Sequence, residues 1–76
     1  GHNPEAQFIL GQFYKSGIGV EKNMVDALVW LRVAASNGHK GAQILLGNMY
    51  RIGDGVSVNR NESNRWYAMA DGKAYK

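Results

Sequence analysis

The chain has 76 residues, which allows one small domain whose core is only marginally sufficient without disulfides, metal or partners. Cysteine is absent, which excludes disulfide staples, zinc fingers, redox motifs and thiol nucleophiles. Nine Lys and Arg against six Asp and Glu give a net charge of +3, dispersed without any block of three basic residues. Nucleic-acid surfaces usually concentrate positive charge on one face, so the composition disfavours a nucleic-acid binder, although the more basic C-terminal half could favour an acidic partner.

No segment has the pattern of a membrane or targeting element. No apolar run approaches the ~18 residues of a membrane span, and no basic start followed by an apolar stretch marks a signal peptide. Gly1 and His2 could be a remnant of expression cloning. The sequence therefore leaves the localisation, the organism and the true N-terminus open.

The first predicted helix runs from about Pro4 to Ser16. Apolar or small residues recur there at spacings of three and four, which indicates a helix packed on one side. These residues are Ala6, Ile9, Leu10, Phe13 and Tyr14. Pro4 suits a first helical turn, and Gly17 is expected to end the helix in the left-handed conformation.

The second predicted helix runs from about Met24 to Ser36. Asn23 followed by Asp26 has the pattern of a capping box, and Asn37-Gly38 is expected to end the helix. The residues expected to be buried are Ala27, Leu28, Trp30, Leu31 and Ala34.

The same pattern returns 36 residues later. Residues 42–50 repeat in register the Ala, Gln, Leu, Gly and Tyr of residues 6–14. The glycines, Asn, Trp and Ala that follow these segments also recur 36 residues apart. This predicts a second helix pair over about 40–52 and 60–71, with Asn59 and Glu62 repeating the cap. A fixed period of this size indicates stacked units that cannot bury their apolar faces alone.

The glycines and the aromatic residues indicate how the helices are expected to pack. Gly11 and Gly47 lie inside predicted helices, where glycine costs on the order of 1 kcal/mol relative to alanine, so we expect close helix approach there. The aromatic residues Tyr14, Tyr50, Trp30 and Trp66 are interpreted as core residues.

These motifs resemble a known family. The repeated pattern is similar to the Sel-one-like repeat (SLR), a relative of the tetratricopeptide repeat (TPR). It consists of A-x-x-x-L-G-x-x-Y, then G-x-G-V, then W, then A-A-x-x-G. Ser63 and Asp71 depart from the alanines usual at their positions, which predicts looser packing or a cap at the end of repeat two. The resemblance implies an all-α fold, an α-solenoid of two helix-turn-helix repeats, and a scaffold or adaptor role in protein complexes.

The expected organisation is a single repeat domain over residues 1–76. Repeat one covers about 3–38, repeat two about 39–72, and 73–76 form a short tail. Whether the chain is a fragment of a longer array, and which oligomeric state it has, stay open at this point.

The resemblance also suggests a partner site. In TPR arrays the first helix of each pair lines a concave groove, and the matching positions here are Phe8, Gln12, Lys15, Ile44, Asn48 and Arg51. Amides at Gln12 and Asn48 could pair with a peptide backbone, while Lys15 and Arg51 could hold a carboxylate. Phe8 and Ile44 offer apolar contact.

Catalysis is the competing class, because some cysteine-rich relatives of the family are associated with penicillin binding and β-lactam hydrolysis. No serine here has the Ser-x-x-Lys spacing, and no His-Glu-x-x-His is present. His39 is interpreted as a solvated side chain and Asp54 as a turn residue.

The sequence therefore predicts a non-catalytic module that binds a protein or peptide, with no cofactor or metal. An acidic partner would suit the basic residues, and self-association is expected to be feasible because stacking faces stay uncovered. A hydrolase is the alternative, and weak nucleic-acid binding the third hypothesis.

Overall fold

The computed structural model describes residues 3–72, which fold into four α-helices with no strand among them. Helix α1 spans Pro4–Ser16, α2 Met24–Ser36, α3 Lys40–Ile52 and α4 Arg60–Ala70. The predicted bounds are confirmed, except that α4 ends one residue earlier, at Ala70. The suggested cloning remnant at Gly1 and His2 and the expected tail lie outside the described residues.

The helix N-termini are closed by side-chain caps. The Oδ1 atoms of Asn23 and Asn59 accept the N–H groups of Asp26 and Glu62 at 3.0 and 3.1 Å. Each capping Asn also donates its own backbone N–H to the preceding helix, Asn23 to the carbonyl of Tyr14 at 2.9 Å. The cap is therefore as predicted, with the Asp26 carboxylate in the first turn of the helix. That carboxylate accepts from Asn23 Nδ2 at 3.2 Å, since the backbone N–H of Asn23 is already used.

The glycines predicted to end the first helix of each pair do so. Gly17 and Gly53 both have φ of +78°, and their N–H groups donate to the carbonyls of Phe13 and Met49. Glycine alone takes this left-handed conformation without a steric penalty, so the first helix of each pair ends at the same place in both repeats.

The helices of each pair approach closely at the predicted glycines. A Cβ on Gly11 would lie 2.8 Å from Leu31 Cδ2, and a Cβ on Gly47 would lie 2.6 Å from Tyr67 Cε1. Carbon atoms normally stay about 3.5–4.0 Å apart, so neither position has room for a side chain. Close packing of α1 on α2 and of α3 on α4 therefore explains both glycines.

The core lies at the junction of the two repeats and within repeat two. It joins residues of α2, α3 and α4, namely Leu31, Ala34, Ala35, Ala42, Leu46, Met49, Tyr50 and Trp66. Tyr50 and Trp66 are core residues as predicted, and so are Ala27, Leu31 and Ala34.

Repeat one is less buried than predicted. Ile9 and Phe13 are 39% and 42% exposed, and Ala6 is also exposed. Tyr14 and Trp30, interpreted as core residues, are only half-buried, and Leu10 is half-buried as well. Leu28, expected to be buried, is half-buried but packs against the core. Helix α2 packs over one side of α3, but the equivalent side of α1 has no covering helix among residues 3–72. The residues on that side of α1 are therefore more exposed.

The end of repeat two is not loosely packed. Ser63 is buried and its hydroxyl donates to the carbonyl of Gly47 at 2.8 Å, so the serine adds a hydrogen bond where an alanine would make none. Ala70 is buried, and Asp71 closes the helix as an exposed C-cap residue. The looser packing expected here is wrong, and the alternative, that the end of repeat two caps the repeat array, stays a prediction.

Across residues 3–72, no helix combines the length and the hydropathy that crossing a membrane would need.

Candidate functional site: the first-helix surface and the end cleft

The six predicted partner-binding residues lie on α1 and α3 and are called here the first-helix surface: Phe8, Gln12, Lys15, Ile44, Asn48 and Arg51. Gln12, Ile44 and Arg51 are exposed, whereas the other three are half-buried. Four of the six, Phe8, Lys15, Asn48 and Arg51, are engaged by neighbouring side chains.

Phe8 stacks on an imidazole. Its ring lies 4.3 Å from the ring of His39, centroid to centroid, at an interplanar angle of 28°. His39 is not the solvated side chain that the sequence suggested. Its Nδ1 accepts the N–H of Ala42 at 3.0 Å as the N-cap of α3, and its Nε2 contacts Glu5 Oε1 at 2.7 Å. The side chain is thus held between the two repeats.

Lys15 forms an ion pair between the repeats. Its Nζ lies 3.1 Å from Asp54 Oδ2, in the loop that follows α3. Asp54 is a turn residue as predicted, and it also partly neutralises one of the two cations proposed to hold a carboxylate. Gln12 is exposed, and its side chain makes no hydrogen bond among residues 3–72, whereas its backbone carbonyl accepts from Ser16 Oγ at 2.6 Å.

Asn48 and Arg51 meet at the hydroxyl of Tyr67 on α4. The hydroxyl donates to Asn48 Oδ1 and accepts from Arg51 Nε at 3.3 Å. These bonds fix the Tyr67 ring against Gly47 and hold Arg51 near α4. The structure therefore brings Asn48 and Arg51 together, whereas Lys15 and Phe8 have separate partners.

Beside Arg51 a cleft of about 300 Å³ opens between α3 and α4. We call it the end cleft, and its lining residues are Arg51, Arg60, Ser63, Asn64 and Tyr67. Arg60 is the first residue of α4, where the helix dipole adds positive potential. Within residues 3–72 neither Arg51 nor Arg60 has a carboxylate within ion-pair distance. As far as the described residues show, the end cleft is therefore a polar site whose two arginines lack a carboxylate partner.

The α4 side of this cleft was not predicted from the sequence. The predicted groove positions lie only on the first helix of each pair, whereas Arg60, Asn64 and Tyr67 lie on α4. A signal was present, because Arg60 and Asn64 are four residues apart and lie on one helical face. That this face meets Arg51 depends on the packing of α4 on α3.

Two of the residues considered for catalysis, Ser63 and His39, have other roles. The hydroxyl of Ser63 is buried and bonded, and both ring nitrogens of His39 are used by Ala42 and Glu5. In the part of the chain that the structure describes, no three His, Asp or Glu side chains cluster in a way that could hold a metal ion.

The family model of the Sel1 repeat matches residues 4–39 and 41–70. The chain belongs to the Sel1 repeat family. The resemblance to the Sel-one-like repeat is thereby confirmed, and so is the all-α helical-repeat solenoid. Sel1 repeat proteins are generally protein-interaction modules, and the family is typically a non-catalytic scaffold.

A solved structure supports the same fold. The chain is similar to the crystal structure of a Sel1 repeat protein from Oxalobacter formigenes, with 39% sequence identity and a TM-score of 0.88. The match covers 97% of this chain and 56% of that chain, so the chain spans little more than half the length of this relative. No curated protein matches the chain at a significant level.

Proposed function

We propose that this Sel1 repeat chain is a non-catalytic protein-interaction module that binds an acidic side chain or a C-terminal carboxylate of a peptide in the end cleft. The observation that carries the proposal is the pair Arg51 and Arg60, two guanidinium groups beside one open polar cleft without a carboxylate partner among residues 3–72. Guanidinium groups present planar arrays of donors that match carboxylates, which makes this class of ligand the best fit.

The first-helix surface supplies the rest of the contact. Ile44 is 41% exposed and offers apolar surface, and the exposed amide of Gln12 can bond to a peptide backbone. The oxygen of Asn48 is used by Tyr67, which leaves its amide nitrogen to donate to a peptide carbonyl. Lys15 has a smaller role in this proposal than Arg51 because Asp54 already compensates its charge.

The experiment begins with a display library of short peptides that have free C-termini, selected on the 76-residue chain. We expect enrichment of Asp, Glu or a terminal carboxylate in the selected peptides. Arg51→Glu and Arg60→Glu should each weaken a selected peptide about tenfold or more, because charge reversal adds repulsion while it removes attraction. Amidation of the peptide C-terminus distinguishes a terminal carboxylate from a side chain.

Lys40→Glu is the matched control. Lys40 is exposed at the first turn of α3 and Arg51 lies in its last turn, so the two changes alter the net charge equally on one helix. Eleven residues separate them, or about 16 Å along the helix axis. The control variant should bind like wild type. Equal losses in Lys40→Glu and Arg51→Glu would indicate a general charge effect and contradict the end cleft.

The proposed lack of catalytic activity is tested separately. Incubation of the chain with a chromogenic β-lactam should give no hydrolysis above the buffer rate. Turnover by the purified chain would contradict the proposal, whereas the peptide experiment would still stand by itself.

A further inference from the structure

Among the four helices of residues 3–72, α3 alone has an N-cap side chain that titrates near neutral pH. Helices α1, α2 and α4 are capped by Asn3, Asn23 and Asn59, whose side-chain amides do not ionise. Helix α3 is capped by His39, whose Nδ1 accepts the N–H of Ala42 at 3.0 Å. Imidazole is the side chain whose charge ordinarily changes between pH 5 and 8. The cap of α3 therefore depends on a group that can gain a charge.

The contacts of His39 determine which ring nitrogen carries the hydrogen of the neutral imidazole. Nδ1 must keep its lone pair, because it accepts the N–H of Ala42. The hydrogen is then on Nε2, which donates to Glu5 Oε1 at 2.7 Å. A second proton can enter only at Nδ1, where it would face the N–H of Ala42 as one donor against another. Protonation of His39 therefore breaks the cap of α3.

The first turn of α3 has no substitute for this cap. It contains no acidic residue, whereas the first turn of each of the other three helices contains one. It begins with Lys40 and Gly41, a cation at the positive end of the helix dipole and a residue of low helix propensity. Gly41 also makes room for the ring, since a Cβ there would lie 2.9 Å from His39 Cε1. We therefore expect this turn to fray when the bond from Ala42 is lost.

The same proton strengthens the contacts of His39 with α1. The imidazolium would form a full ion pair with Glu5, whose Oε1 already lies 2.7 Å from Nε2. The face of the Phe8 ring, 4.3 Å from the imidazole between centroids, also attracts a cation. The His39 side chain is only 16% exposed, so these two residues are its main surroundings on the α1 side. The protonated ring is therefore expected to stay on α1.

The charged groups around His39 leave Glu5 as its partner among residues 3–72. Lys40 follows His39 in the chain and is exposed, so water and salt screen its charge. Arg32 on α2 is engaged by an aromatic residue of α3, and Asp71 is an exposed C-cap residue of α4 that forms no ion pair with the ring. The remaining charged residues of the four helices pair elsewhere or lie at the helix ends remote from His39: Lys15, Asp26, Arg51, Arg60, Glu62 and Arg65.

We propose that His39 is a proton-controlled contact between the two repeats. The neutral ring caps α3 and binds α1 through Glu5 and Phe8. A proton from the solvent enters at Nδ1, and the ring then releases the first turn of α3 while it keeps both contacts with α1. Mild acid thus loosens the start of repeat two. The end cleft lies at the opposite end of α3, so this device is independent of the proposed peptide binding.

Amide hydrogen exchange followed by NMR tests the proposal on the 76-residue chain. The protection of the Ala42 N–H, corrected for the intrinsic pH dependence of exchange, should fall about fivefold between about pH 8 and about pH 5, as expected for loss of an N-cap side chain. The amides of Asp26 and Glu62 are internal references, because they donate to asparagine caps that do not titrate. Their protection should stay constant over the same range.

His39→Asn is the matched control, because Asn3 shows that an asparagine caps the first helix of a repeat. The variant retains His2, the other imidazole of the chain. Its Ala42 amide should keep the same protection at both pH values. Equal losses in the variant and in the wild type would indicate a general effect of acid and overturn the proposal. Constant protection of Ala42 in the wild type would overturn it as well.

The ring itself supplies two further readouts. A ¹H–¹⁵N correlation of the imidazole at about pH 8 should place the hydrogen of His39 on Nε2, and a hydrogen on Nδ1 would contradict the cap. Nuclear Overhauser contacts between the Phe8 and His39 rings should persist at about pH 5. Their loss in acid would show that the ring leaves α1, which is the reverse of the proposed release of α3.

Discussion

Gly47 provides the sharpest test of the helix-pair packing. A Cβ at this position would lie 2.6 and 2.7 Å from Cε1 and Cδ1 of Tyr67. Normal carbon contacts are about 3.5–4.0 Å, so the Tyr67 ring must shift by about 1 Å to admit a single methyl group. The ring cannot shift freely, because Asn48 and Arg51 both bond to its hydroxyl.

The expected size of the effect follows from two opposed terms. Overpacking of a tight contact costs about 1–3 kcal/mol, whereas replacing a helical glycine by alanine gains about 1 kcal/mol of helix propensity. Gly47→Ala should therefore lower the free energy of unfolding by about 0–2 kcal/mol, and Gly47→Leu by more. In a domain of this size about 1 kcal/mol corresponds to 4–8 °C in melting temperature.

Thermal melts followed by circular dichroism measure both variants, and a double-mutant cycle isolates the contact. In a Tyr67→Ala background the ring is gone, so Gly47→Ala should become stabilising by about 1 kcal/mol. A change of sign between the two backgrounds is the expected result. If Gly47→Leu melts at or above the wild-type temperature, the close packing of α3 on α4 at this glycine is refuted.

Two further predictions concern contacts between the repeats. His39→Ala should lose the N-cap of α3 at a cost of about 0.5–2 kcal/mol, whereas His39→Asn should recover most of it because Asn3 caps α1 in the same way. Equal melting temperatures for the two variants would show that capping is not the role of His39. Lys15→Glu should lower stability by about 0.2–1 kcal/mol through loss of the Asp54 pair, and the swap Lys15→Glu with Asp54→Lys should restore it at low salt. Additive effects in that cycle would mean that the pair contributes nothing.

The bounds of the four helices could be predicted from the sequence to within one residue because their signals are local. An N-cap such as Asn23 bonds to a residue three positions away, and Gly17 ends α1 through its own backbone conformation. The 36-residue period and the close approach at Gly11 and Gly47 could be predicted as well, since a glycine within a helix needs a packing reason.

Burial could not be predicted in this way. Phe13 and Met49 occupy the same place in the repeat and have the same helical periodicity, yet one is 42% exposed and the other 1%. Periodicity identifies the apolar face of a helix, but the cover for that face comes from a different helix. Whether such a helix is in place is a property of the tertiary structure.

The candidate site, like the fold, could be predicted from the sequence only in part. The sequence, through the resemblance to TPR arrays, placed Arg51 at a surface available to a partner. Only the packing of α4 on α3 sets Arg60 beside it, ties Asn48 to Tyr67, and leaves both arginines without a carboxylate among residues 3–72. Only the stacking of the repeats pairs Lys15 with Asp54 and holds His39 between Phe8 and Glu5. Local hydrogen bonds within one helical turn are encoded in neighbouring residues, whereas ion pairs and clefts form between residues that only the tertiary fold brings together.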